Sequence, residues 1–206
     1  MAKINFFQNS GGGNALGIDC SAFISSGLAT AGLKYSSTVD NKPIFIRQNS
    51  AKFLDPKANG WTCFDRITLT PQQSIVNGDI MAINGHVVMI DEAGEDPFGI
   101  KNISSKKDCE NLSHQNFNFT ILQSSPTKGS IGINRYVARD YLSESLGMQA
   151  KFLLYAKTAC YAQVDQKNYA FNDMSTGIIR HKGTPECKAP RVELVNEACI
   201  NQCPEL

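Results

Sequence analysis

The chain is predicted to fold as α+β, with one helix near its start followed by strands joined mostly by hairpins. A helical apolar pattern begins at Cys20, an Asn84-Gly85 pair separates two short apolar runs, and residues 117–123 alternate with period two. The 206 residues are 42% hydrophobic and 19% charged, the composition of a globular chain and not of a disordered one. Lys and Arg total 20 against 19 Asp and Glu, and no run of five like charges occurs. Neither nucleic acid nor an anionic membrane surface is therefore an expected partner. Apolar stretches such as 87–90 and 152–156 are far too short to span a bilayer. The length suits a single domain, residues 1–206, with a core over about 5–140 and residues 141–206 as an extension of the same domain.

Residues 1–17 are polar and glycine-rich and read as a loop. Asp19 is a good helix N-cap and Gly32 a good stop. Between them Phe23, Gly27, Leu28 and Ala31 recur at helical spacing, which predicts one buried face with Gly27 allowing close packing. A short helix is expected around 46–54. Asn84-Gly85 between the apolar runs 80–83 and 86–90 predicts a hairpin. The run Val87-Val88-Met89-Ile90 has no alternation, so it predicts a strand covered on both faces. Residues 91–116 form a long polar excursion. Phe117, Phe119, Ile121 and Gln123 then share one face of a strand. Residues 131–137 and 151–162 are further strand candidates, with weaker ones at 177–179 and 192–195.

Seven cysteines are present: Cys20, Cys63, Cys109, Cys160, Cys187, Cys199 and Cys203. Six suffice for three bridges, which leaves one as an intermolecular link or a reactive thiol. Bridges imply an oxidising compartment. Residues 1–5 do not resemble a signal peptide. Three explanations stay open: a mature fragment with an added Met, another export route, or reduced cysteines.

Cys20 follows the expected N-cap directly. Unpaired N–H groups and the positive end of the helix dipole at that place lower a thiol pKa and favour the nucleophilic thiolate. The base must be one of three histidines. His114 falls in the polar excursion and His181 between two cations, whereas His86 opens a buried strand. A thiol–imidazole pair also needs a group to orient the far ring nitrogen. Gln123, polar and at the end of a strand, suits that role.

The segment Gly11-Gly12 … Gly17-Ile18-Asp19-Cys20-Ser21-Ala22-Phe23-Ile24 resembles the nucleophile motif of the NlpC family of bacterial cell-wall cysteine peptidases. Gly78-Asp79-Ile80 and Gly85-His86-Val87-Val88-Met89-Ile90 resemble that family's Gly-Asp-Leu and His-Val-Gly-Ile strands. Leu122-Gln123-Ser124-Ser125 … Gly129-Ser130-Ile131 resembles its third-residue strand. The likeness covers roughly residues 5–140, with its motifs in the family's order. It implies a papain-like fold, a nucleophile helix packed on a mainly antiparallel sheet, and cleavage of peptidoglycan stem peptides between D-γ-glutamate and the diamino acid. Cys20 would be the nucleophile, His86 the base and Gln123 its orienting group. Asp19 and Ser21 would contact the amino end of the substrate, and the Cys20 N–H would take the oxyanion.

The chain departs from the family at Ala22, where Gly is usual, and at Gln8, where a substrate-contacting Tyr is usual; Phe6 and Phe7 lie nearby. Such an enzyme would act in the periplasm or outside the cell, so the cysteines are expected to be bridged. Two bridges among Cys160, Cys187, Cys199 and Cys203 allow three connectivities and leave Cys63 for Cys109. The spacing of the three tail cysteines with His181 also permits a Cys3His zinc site, but disulfides suit that setting better. Gly11–Gly13 lacks the rest of a phosphate loop, and Asp91, Glu92, Glu95 and Asp96 lack the ligand pattern of a calcium loop. No metal or cofactor is expected. Other readings on the same fold are a non-catalytic wall-binding module, an acyl transferase, and an exported antibacterial amidase whose partner would be an immunity or inhibitor protein.

Overall fold

The computed structural model describes residues 19–37, 48–68, 70–71, 74–125, 133–169, 171 and 173–189. Over these residues the protein is α+β, with a six-stranded antiparallel sheet covered on both faces. The helices are α1 (Cys20–Thr30), α2 (Lys106–Glu110), α3 (Ala138–Glu144) and α4 (Leu146–Asp165). The strands are β1 (Phe64–Arg66), β2 (Ile80–Ile83), β3 (His86–Ala93), β4 (Phe119–Ser124), β5 (Ile133–Val137) and β6 (Thr176–His181), in spatial order β1-β6-β2-β3-β4-β5. No described helix is long and apolar enough to cross a membrane.

Helix α1 starts and stops where its punctuation predicts. Asp19 caps the N-terminus, and Gly32 takes a left-handed φ of 68° past the last turn. There Leu33 N–H donates to Leu28 O at 2.8 Å and Gly32 N–H to Ala29 O at 3.0 Å, the paired bonds of a Schellman end. The buried face differs from the expected one. Ser21, Ile24, Ser25 and Leu28 face inward, while Gly27 and Ala31 are exposed. A serine can hold a core position here because the Tyr35 hydroxyl hydrogen-bonds Ser25 Oγ at 2.9 Å. Close packing does not explain Gly27, since a Cβ there would meet nothing within 4 Å.

The Asn84-Gly85 turn joins β2 to β3, with Ile83 opposite His86. Alternate residues feed two cores. Ile80, Ala82, Val87 and Ile179 pack on the α1 side with Phe53, Trp61 and Phe64. Met81, Val88, Ile90 and Ile178 pack on the other side with Phe152, Tyr155 and Ala156 of α4. Phe117, Phe119, Ile121 and Gln123 do share a buried face. Of the helix expected at 46–54, the described residues 48–54 hold a single 3-10 turn, Ser50–Phe53. The polar excursion shortens, because β3 runs on to Ala93 and α2 interrupts the rest.

Residues 151–162 are helical, not a strand, as part of α4. Its buried Met148, Phe152, Tyr155, Ala156, Ala159 and Cys160 follow a 3.6-residue period. Alanine and leucine fill the run, with little of the β-branched content a strand favours. Residues 141–169 and 173–189, expected within the extension, belong to the sheet and its cover. Strand β6 lies between β1 and β2, and α4 closes one core. The weak strand expected at 192–195 falls outside the described residues.

Cystine pairing also differs from expectation. Cys63 bonds Cys187 and Cys109 bonds Cys160, with Cα separations of 5.4 and 5.7 Å. The register explains the first bridge. Phe64 lies opposite His181, and Lys182 N–H donates to Cys63 O, so the turn after β6 brings Cys187 back over Cys63. The second bridge clamps α2 onto α4. Cys199 and Cys203 lie outside the described residues, as do Gln8, the Gly11–Gly13 run and Gly17.

Candidate active site

Cys20 is the first residue of α1 and, among the described residues, the free cysteine. Asp19 fixes its place. Asp19 Oδ1 accepts from the Ala22 N–H at 2.7 Å and from the Ser21 hydroxyl at 2.8 Å. The N–H groups of Cys20 and Ser21 remain at the open helix end and hydrogen-bond the Cys20 sulfur.

The sheet opens to receive this helix end. The β3–β4 ladder runs from Ala93–Phe119 to Met89–Leu122, where its paired residues stop. Ile90 N–H donates to Asp79 O on the β2 side. N–H groups alternate along an antiparallel strand, so Val87 N–H points toward β4. Past the last paired residues it hydrogen-bonds the Cys20 sulfur. The nucleophile candidate thus sits where β3 and β4 part, and α1 packs on both strands.

His86 precedes Val87 and opens β3. Its Nε2 lies 3.1 Å from Gln123 Oε1. An amide oxygen only accepts, so Nε2 carries the proton and Nδ1 is the basic nitrogen. One further step of the β3–β4 register sets Val88 opposite Gln123, with His86 two residues on and on the same face. Gln123 is fully buried beside Ile121. Leaving a buried amide oxygen unpaired is costly, which favours its bond to His86.

Electrostatics depart from expectation at the sulfur. Burial pushes the Cys20 thiol above its ordinary 9.0, and the Asp19 carboxylate adds to the rise. The N–H donors of Val87, Ser21 and Cys20 pull the other way without reversing it. Burial pushes His86 below 6.5, against the opposing hydrogen bond from Gln123. Both shifts favour the uncharged forms, a thiol at Cys20 and a neutral imidazole at His86.

The Ser21 hydroxyl is bound to Asp19 and buried, so both residues serve the helix start. Tyr141 on α3 is a residue the motifs leave out. Its ring centroid is 6.4 Å from that of His86, and its hydroxyl has an electrostatic contact with Cys20. No spacing in the sequence ties α3 to the helix or to the hairpin. The Val87 N–H is likewise a backbone group that no residue type announces.

The remaining motifs have structural uses. The Cys187 sulfur belongs to a disulfide, while His181 Nε2 bonds Lys34 O and its Nδ1 accepts from Gly183 N–H, so these two are not poised for zinc. Asp91 and Glu92 pair with Arg135, and Asp96 accepts from the N–H groups of Ile100 and Lys101. Set against known proteins, the chain matches no family model, no curated protein and no solved structure.

Proposed function

We propose that the protein is a cysteine peptidase acting on peptidoglycan stem peptides at the D-γ-glutamyl–diamino acid bond. The observation that carries this reading is the His86–Gln123 hydrogen bond on the strand whose next N–H, that of Val87, meets the sulfur of the free Cys20 at a helix N-terminus. The substrate class and the papain-like fold come from the resemblance to the NlpC family. The two disulfides suit a periplasmic or secreted setting.

In this mechanism the Cys20 sulfur attacks the γ-carbonyl as its proton passes to His86 Nδ1. Gln123 holds the ring by its Nε2–H. The carbonyl oxygen gains negative charge and takes the N–H of Cys20. The C–N bond then breaks, and His86 returns its proton to the departing amine. Water deprotonated by His86 cleaves the resulting thioester and restores the thiol. Because the resting thiol is neutral, proton transfer accompanies attack instead of preceding it.

Mass spectrometry of purified muropeptides incubated with wild type and with Cys20→Ala tests the proposal. New fragments from the wild type alone, with masses that place the cut after γ-glutamate, are the expected result. Equal cleavage by both proteins would remove Cys20 as nucleophile. Intact tri- and tetrapeptide stems, with and without the sugar, would sink the hydrolase reading.

A further inference from the structure

Tyr141 is 2% exposed on α3, the helix that follows β5 directly. Its ring is tilted 36° to the His86 imidazole at 6.4 Å, and lies 6.0 Å from the ring of Tyr136 on β5. Tyr136 in turn stands opposite Ile121, two residues before Gln123 on β4. The Tyr141 hydroxyl hydrogen-bonds the Ser145 side chain, and burial keeps it a neutral phenol, its pKa pushed up to about 12. The imidazole therefore has a buried amide at Nε2 and the Tyr141 ring beside it, itself packed on Tyr136.

Resting on the cysteine-peptidase reading, we propose that Tyr141 is a positioning residue: its ring, backed by Tyr136, holds the His86 imidazole against Gln123 and keeps water from their hydrogen bond. An imidazole held at one edge can still turn about its side-chain bonds, and water competes for a half-exposed N–H. A flat wall removes both freedoms. Tyr141 on α3 is the titratable group against the His86 ring; Tyr136 on β5 packs on Tyr141, and Cys20 interacts with the Tyr141 hydroxyl. Removing the ring admits water and eases protonation of His86, which raises its pKa.

The test is an NMR titration of the His86 ring in wild type, Tyr141→Leu and Tyr141→Phe, with muropeptide kinetics alongside. Tyr141→Met is measured in place of the leucine variant if that fails to fold. The expected result is a His86 midpoint that rises toward 6.5 in Tyr141→Leu, with kcat down about tenfold to a hundredfold and KM little changed. Tyr141→Phe keeps the ring and restores the wild-type midpoint. A wild-type midpoint in the leucine or methionine variant would overturn the proposal. So would a phenylalanine variant as altered as the leucine one, because the hydroxyl would then carry the effect. The titration needs no substrate, so inactivity of the wild type toward muropeptides would count against the peptidase reading and not against this contact.

Discussion

Gln123 is wholly buried, yet its Oε1 faces His86 Nε2 at 3.1 Å, so a core strand position is given to a polar side chain that accepts from the imidazole. Replacing it with Leu keeps the volume and removes the acceptor. Gln123→Leu is expected to lower kcat by about tenfold to a hundredfold while the fold persists. Steady-state kinetics with a circular dichroism control would check this. Unchanged kcat would show that His86 needs no partner on that edge.

The pH dependence of kcat/KM follows from the same burial. His86 must be neutral to act as a base, and its pKa lies below 6.5, so activity should hold down to that value and fall beneath it. Cys20 stays a thiol up to its raised pKa above 9.0. The expected profile is a broad plateau between these limits. An acid limb above 6.5 would contradict it.

Stability should share part of this pH dependence. His86 and His181 are both pushed below 6.5 by burial. Below 6.5 the unfolded chain binds more protons than the folded one, so stability falls as pH falls toward the lowered values. Urea midpoints measured at pH 7.5 and at pH 5.5 should therefore differ, the acid one being lower. Equal midpoints would mean that neither ring is kept neutral by the fold.

Asp19 combines two effects that a single substitution separates. Asn caps a helix as well as Asp but carries no charge. Asp19→Asn should keep α1 and lower the Cys20 pKa, because the carboxylate is one of the causes that raise it. Faster alkylation of Cys20 by iodoacetamide at pH 8 is the expected outcome. Asp19→Ala should instead cost about 1 kcal/mol of stability through loss of the cap.

Each bridge closes a long loop, with sequence separations of 124 and 51 residues. Removing either is expected to cost roughly 2–5 kcal/mol. Paired Cys-to-Ser variants, followed by urea unfolding, would measure each cost. A loss well under 1 kcal/mol would mean that the packing already fixes those segments.

The sequence was informative where local chemistry decides structure. Asp19 and Gly32 bracket α1, Asn84-Gly85 makes its hairpin, and the alternation ending at Gln123 buries that residue beside His86. It was opaque where distant segments decide. The apolar run in α4 looks like a strand until Met148 and Tyr155 are read together at helical spacing. The bridge from Cys63 to Cys187 depends on where β6 enters the sheet, which spacing does not encode. The serines on the inner face of α1 defeat a purely apolar pattern, because Tyr35 satisfies one of them from another segment. The raised thiol pKa depends on burial, which a capping motif does not report.

Strand β6 also sets the order in which the sheet can be assembled. Its insertion between β1 and β2 means that residues 64–66 have no sheet neighbour until residues 179–181 arrive. Contacts so far apart in sequence form late and slowly. Cys20 and His86 precede β6 by many residues, but the sheet around them is completed only when that strand arrives. A chain interrupted before residue 176 would carry the thiol, the imidazole and the amide without the finished scaffold.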